Sequence, residues 1–233
     1  MKLVSVAIAA SLLASTPALA QNFTGPRAEV RLGLDVLGDK YDYTSKWEDT
    51  YYNYSDSYSD TERTAKTGLN YGLGLGYDIA AGKNFIVGVE ANLDFSDAKA
   101  CEESDDDELC LKAGRDIEVG VRGGFIVNPN TLLYAKIGYA NGRLKVTGDK
   151  DLVDEVKEEY GSRAKNLDGL RLGAGVETVL SKNLYLKVEY TYTDYKSVKF
   201  ADSGSDGYGY KWSYTEAHNF DRHKVVAGLG VRF

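Results

Sequence analysis

The sequence predicts an all-β protein, an eight-stranded antiparallel up-and-down transmembrane β-barrel. Three observations predict it. Eight segments alternate apolar and polar residues with a period of two, as a strand with one oily face does. Their connections alternate between a few residues and twenty or more, so short links gather at one end and long ones at the other. The polar face of the segments is rich in both charge and glycine, a mixture suited to a narrow interior and poorly suited to a solvent-facing strand.

Taken in order, the chain opens with a predicted leader over residues 1–20. Lys2 supplies a basic start, Leu3 to Ala14 an apolar run, and Pro17-Ala18-Leu19-Ala20 a small-x-small cleavage pattern. The expected barrel domain is 21–233. No other apolar run approaches the roughly 18 residues a spanning helix needs. The 28 basic and 35 acidic residues give a net charge of −7, or −8 once Lys2 leaves with the leader, which argues against a nucleic-acid partner. With 25 glycines, 18 tyrosines and three prolines, the composition favours β structure.

The first segment, Arg27 to Val36, sets Ala28, Val30, Leu32, Leu34 and Val36 against Arg27, Glu29, Arg31 and Asp35. The second, Leu69 to Ile79, opposes leucines and tyrosines to Asn70, three glycines and Asp78, and turns at Ala80 to Lys83. Phe85 to Phe95 opposes Val87, Val89 and Leu93 to Glu90, Asn92 and Asp94. Ile117 to Val127 opposes Val119, Val121 and Phe125 to Glu118 and Arg122, with a turn at Asn128-Pro129-Asn130. Leu133 to Tyr139 places Lys136 and Gly138 on its polar face. Leu170 to Leu180 places Arg171, Gly173, Gly175 and Glu177 there, and turns at Ser181-Lys182-Asn183. The seventh segment, from Leu184, opposes Leu186, Val188, Tyr190 and Tyr192 to Lys187, Glu189, Thr191 and Thr193. The eighth closes the barrel with Val225, Leu229, Val231 and Phe233 on its oily face. The long links, 38–66, 96–115, 147–166 and 197–221, are expected as outer loops.

A soluble barrel of the lipocalin kind shares this connectivity but turns its apolar face inward. The glycine-rich charged face favours the membrane form. Tyr71, Phe95, Tyr139 and Tyr190 near one set of strand ends, and Tyr77, Phe85, Phe125 and Phe233 near the other, give two aromatic girdles.

The run V-E-Y-T-Y-T-D-Y (Val188 to Tyr195), followed by His223 and the closing V-V-A-G-L-G-V-R-F, resembles the porin-family, opacity-type small outer-membrane β-barrels of Gram-negative bacteria, relatives of the OmpA membrane domain. The resemblance covers the mature chain in architecture and about its last fifty residues in motif. It implies residence in the outer membrane, with outer-membrane lipids and lipopolysaccharide as neighbours, and carries over no catalytic residue.

Several groups are candidates for function. Arg31, Glu90, Arg122, Lys136, Arg171 and Glu189 fall near mid-height on the inward face, and opposite charges in a narrow lumen are expected to pair, Glu90 with Arg122 or Lys136 and Glu189 with Arg171 or Arg31. Cys101 and Cys110 are the only cysteines and are expected to form a disulfide in an oxidising compartment. The acidic run Glu102, Glu103, Asp105, Asp106, Asp107 and Glu108 between them lacks the glycine turn of a calcium loop and reads as a solvated, self-repelling segment. Tyr41, Tyr43 and Trp47 in the first outer loop and Tyr208, Tyr210, Trp212 and Tyr214 in the last come together once the barrel closes. They form either a stacked strand extension or a recognition surface for an extracellular ligand or host surface. His218 and His223 lie near the outer rim beside Ser213 and Glu216, but parity sends His223 to the outer face with no evident partner. No metal or cofactor is called for, and an enzyme is not expected. The expected function is a structural and surface-interaction barrel with a charge-plugged lumen. A small-solute diffusion porin and an adhesin or surface receptor are the alternatives.

Overall fold

The computed structural model describes residues 20–104, 107–160 and 164–233, so the expected leader up to Leu19, together with Asp105 and Asp106 of the acidic run, lies outside the described residues. A short 3-10 turn, Ala20–Phe23, precedes ten strands: β1 Gly25–Asp49, β2 Tyr54–Ala80, β3 Phe85–Ser96, β4 Lys99–Ser104, β5 Asp107–Asn128, β6 Thr131–Gly148, β7 Ala164–Val179, β8 Leu184–Tyr195, β9 Val198–Ser205 and β10 Tyr210–Arg232. One helix, α1 Lys150–Tyr160, stands between β6 and β7. Eight of the strands form the antiparallel ring β1-β2-β3-β5-β6-β7-β8-β10, which the pairing of β1 with β10 closes. The other two are accessories, β4 folded onto β5 and β9 onto β10.

Burial is inverted relative to a water-soluble protein. Val30, Leu73, Leu75, Val89, Val119 and Leu170 are each more than half exposed, while Arg27, Arg122, Arg171, Glu118 and Glu177 are almost wholly buried. In water that exposure would be an apolar belt around the whole ring; in lipid it is the solvated surface. The lipocalin arrangement is thereby excluded. Aromatic pairs mark both margins of the belt, Tyr71 stacked on Phe95 with centroids 5.9 Å apart and Phe85 edge-on to Phe125 at 5.3 Å.

Glycine makes the interior possible. A Cβ on Gly76 would lie 2.6 Å from the Arg27 guanidinium carbon, and one on Gly74 would lie 2.7 Å from a Glu29 carboxylate oxygen. The missing side chains of β2 are therefore the space into which β1 extends its long charged ones. In β5 a bulge between Ala113 and Asp116 resets the alternation, so that both residues face inward.

The long links differ from the expected loops. Only four residues in the middle of the first, Thr50 to Asn53, form a turn; β1 and β2 run on as a paired hairpin to Asp49 and Tyr54. The second link contains the β4–β5 hairpin, the third α1, and the fourth β9 with the outer half of β10. Once the chain leaves lipid, both faces of a strand meet water and the apolar half of the alternation is no longer required, so strand character persists without its usual signature.

Candidate functional site

Inside the ring, alternation brings nine cations and nine anions into the lumen among the described residues, and all eighteen are buried. At the end bearing the short turns, Asp78 accepts from Arg27 at 3.0 Å, from Arg122 at 2.7 Å and from Arg232 at 2.9 Å, while Glu177 accepts from Arg122 at 3.0 Å and Arg232 at 2.7 Å. At mid-height Glu90 holds Arg27 and Lys136, each at 2.6 Å. Glu189 holds Arg31 at 3.1 Å and Lys136 at 3.0 Å and accepts from the Tyr134 hydroxyl at 2.8 Å. Glu29 bridges Arg31 and Lys187 at 3.0 and 2.5 Å. Towards the outer end Asp116 takes Arg171 at 2.6 Å and Lys224 at 2.5 Å, Asp94 takes Arg31 and Lys224 at 3.1 Å each, and Asp35 takes Arg222.

Each lumen residue singled out from sequence lies in this network, with some partners exchanged. Glu90 pairs with Lys136, whereas Arg122 pairs with Asp78 and Glu177; Glu189 pairs with Arg31, whereas Arg171 pairs with Asp116 and Glu118. Sequence reasoning passed over Arg27, Lys187, Arg222 and Arg232 by choosing only mid-height positions, although the same parity points them inward.

Apolar clusters close the network above and below. Phe23, Ile86, Ile126, Leu132 and Tyr134 pack together at the short-turn end, where Arg232 donates to the Phe23 carbonyl at 2.5 Å. Leu37, Ala98, Ala113, Ala140, Leu144, Leu167, Tyr195 and Phe220 pack at the other. Ile86, Ile126 and Tyr134 lay within the expected segments, whereas those segments stopped one to five residues short of the other cluster members.

Beyond the outer cluster β2, β1, β10 and β9 form a four-stranded blade. From Leu37 to Asp49 it spans roughly 40 Å of strand. Trp47 and Trp212 are cross-strand partners, as are Tyr41 and His218. Trp212 stacks on Tyr214 with centroids 6.0 Å apart, Tyr43 lies 6.2 Å from Tyr58, and Tyr210 and Tyr208 stand exposed at the tip. A groove of about 830 Å³ lies among the strand tips, lined in part by Lys46, Trp47, Ser57, Ser203 and Trp212. The two sheet edges are treated alike. β2 pairs with β3 only from Asn70 onwards, and on its open stretch the Ser57 and Thr61 amides donate to the Asp56 and Asp60 carboxylates at 2.7 and 2.9 Å. On β9 the Ser203 amide donates to Asp202 at 2.7 Å.

The family model described as the outer membrane protein beta-barrel domain matches residues 6–233. The chain belongs to this family. It is an outer-membrane β-barrel protein. Among relatives of this barrel family, the 22 kDa outer membrane protein of Rhizobium leguminosarum bv. viciae is 33% identical over 168 residues, covering 70% of this chain and 67% of that one. The 25 kDa outer-membrane immunogenic protein of Brucella abortus biovar 1 is 29% identical over 158 residues, covering 66% of this chain and 63% of that one, so the match spans less than two thirds of the Brucella protein. Similar solved structures include Neisserial surface protein A (13% identity, TM-score 0.44, 85% of this chain and 97% of that one) and the outer membrane protein OprG of Pseudomonas aeruginosa (13%, 0.43, 90% and 97%). At these values the likeness says nothing of function.

Three further groups lie outside the lumen. Cys101 and Cys110 are cross-strand partners in the β4–β5 hairpin and form a disulfide. His223, expected to lack a partner, has two: its Nδ1 lies 2.7 Å from the Tyr190 hydroxyl and its Nε2 3.5 Å from Asp221, all at the lipid-facing rim. His218 stands 3.1 Å from Asp39 on the blade, and the carboxylate, by accepting its hydrogen bond, raises the imidazole pKa above its ordinary value against the opposing effect of burial.

Proposed function

We propose that this protein is a non-enzymatic structural and surface-interaction barrel of the outer membrane, with a lumen sealed by charge pairing and a recognition surface on its blade. The observation that carries this reading is the filling of the lumen: nine buried cations against nine buried anions, between two apolar clusters. An eight-stranded ring leaves an interior only just wide enough for side chains, and here long ones from facing strands meet across it. Each ion is desolvated, and the cost is offset because each anion named above holds one or more cations with hydrogen-bonding geometry. The surface role is supported by the blade, whose Tyr54, Tyr58 and Trp212 are exposed among serines, a composition that gives contact area at low entropic cost. The Brucella relative's description as immunogenic agrees with a surface that other molecules meet. Lys40 and Arg63, cross-strand partners on the lipid side just above the apolar belt, suit the phosphates of lipopolysaccharide.

Planar-bilayer recording of the purified protein tests the sealed lumen. The expected result is little or no steady conductance; a stable large conductance would establish the diffusion-porin alternative instead.

A further inference from the structure

The two faces of the blade differ in charge. No register shift interrupts the pairing of β1 with β2 or with β10, so the face continuous with the lumen carries the odd residues of β1 and the even residues of β2 and β10. On that face Trp47 stands beside Asp56 and Trp212, Tyr43 beside Asp60 and Glu216, and Tyr41 beside Glu62 and His218. An aromatic ring of β1 thus neighbours a carboxylate of β2 three times. Asp202 of β9, opposite Tyr214, adds another acid. The cations at the same height, Lys40, Lys46, Arg63, Lys199 and Lys211, fall on the opposite face by the same alternation.

We propose that the lumen-side face of the blade docks an extended basic polypeptide segment, with Lys or Arg side chains at alternate residues set over Tyr41, Tyr43 and Trp47 and against Glu62, Asp60 and Asp56. This rests on the reading of the blade as a recognition surface and supplies the chemistry of its partner. A cation above an aromatic ring is attracted by the ring's quadrupole, and a neighbouring carboxylate adds a Coulombic term. Alternate side chains of an extended chain lie about 7 Å apart, the spacing of Tyr41 and Tyr43 on their own strand. The protein already makes one such contact on this face. The Lys165 ammonium lies 6.0 Å from the ring centroid of Phe200, which is the cross-strand partner of Glu216. Asp56, Asp60 and Glu62 are exposed, and the chain's net charge of −7 draws cations from a distance.

Trp47 and Trp212 are the only tryptophans in the chain, so tryptophan emission, excited selectively over the 18 tyrosines, reports on this face alone. The whole protein, folded in uncharged detergent micelles, is titrated with a synthetic alternating Lys–Thr peptide and, separately, with a Glu–Thr peptide. A saturable change in tryptophan emission is expected with the Lys–Thr peptide only. In the triple variant D56N/D60N/E62Q the affinity should fall by about tenfold, while E48Q, which removes an acid from the opposite face, should leave it unchanged. Asparagine keeps an oxygen for the edge amides, and a heat-dependent shift in electrophoretic migration verifies that each variant retains its barrel. No response to Lys–Thr, or equal losses in the triple variant and E48Q, overturns the proposal. A response confined to Glu–Thr also overturns it, yet leaves the blade a recognition surface for another ligand.

Discussion

Glu90 shows most directly how much one side chain carries in the lumen. It is the shared partner of Arg27 and Lys136, each at 2.6 Å, and none of the three has appreciable solvent contact. Replacing it with alanine leaves Arg27 on Asp78 and Lys136 on Glu189, but removes the anion they share and so leaves one positive charge uncompensated in the buried network. Glu90→Ala is expected to lower unfolding stability by about 3 to 5 kcal/mol, less where water follows the vacancy in. Urea titration in detergent measures this, and an unchanged midpoint would mean the lumen is already wet. His218 offers a residue-scale test outside the membrane. Its folded pKa is raised by the Asp39 hydrogen bond, so its contribution to stability is complete below the unfolded value, about 6.5, and is lost as pH rises through the higher folded value. An NMR titration of the imidazole should show the elevation, and Asp39→Asn should remove most of it; equal titration in both proteins would leave Asp39 without this role.

At the scale of elements, the ring and the blade have separate sources of stability. The ring is closed below the outer apolar cluster by the pairing of Arg27 through Leu37 with Arg232 through Arg222, while the blade adds the pairing from Gly38 to Asp49. Replacing 38–66 and 197–221 with short Gly-Ser links is therefore expected to leave a barrel that still shifts migration on heating while abolishing binding by the blade. Loss of the heat shift would show that the ring needs the blade to close. Much of the ring was legible in sequence because lipid enforces the pattern: Val30, Leu32 and Leu34 must be apolar where Arg27, Glu29 and Arg31 need not be. The blade was not legible as strand, since Ser55, Ser57 and Ser59 alternate with Tyr54, Asp56 and Tyr58, and no oily face sets a polar one apart. The tyrosines and tryptophans at alternate positions were its remaining signal. Helix α1 was hidden in another way: the Glu- and Lys-rich run from Lys150 has good helix formers, but its length alone suited a loop.

At the scale of the whole molecule, the nine cations and nine anions of the lumen among the described residues cancel, so the chain's net charge of −7 belongs to the remaining residues. Pairing accounts for the interior, whereas the exterior remains open to ionic strength. The blade also has a consequence for neighbours. Copies inserted in one membrane stand upright with their blades at one height, and the open edges of β2 and β9 face sideways. An unpaired edge of that kind is a template on which another chain can add a strand. Asp56, Asp60 and Asp202 occupy edge amides with their own carboxylates and set negative charge beside any approaching copy. Alanine at all three positions is expected to turn a solution of single barrels into growing ribbons, visible as high-mass species in size-exclusion chromatography; persistence of the single-barrel peak would assign the edges another protection. Three short side chains thus act as terminators of polymerisation, keeping a surface crowded with identical sheets from becoming one continuous sheet.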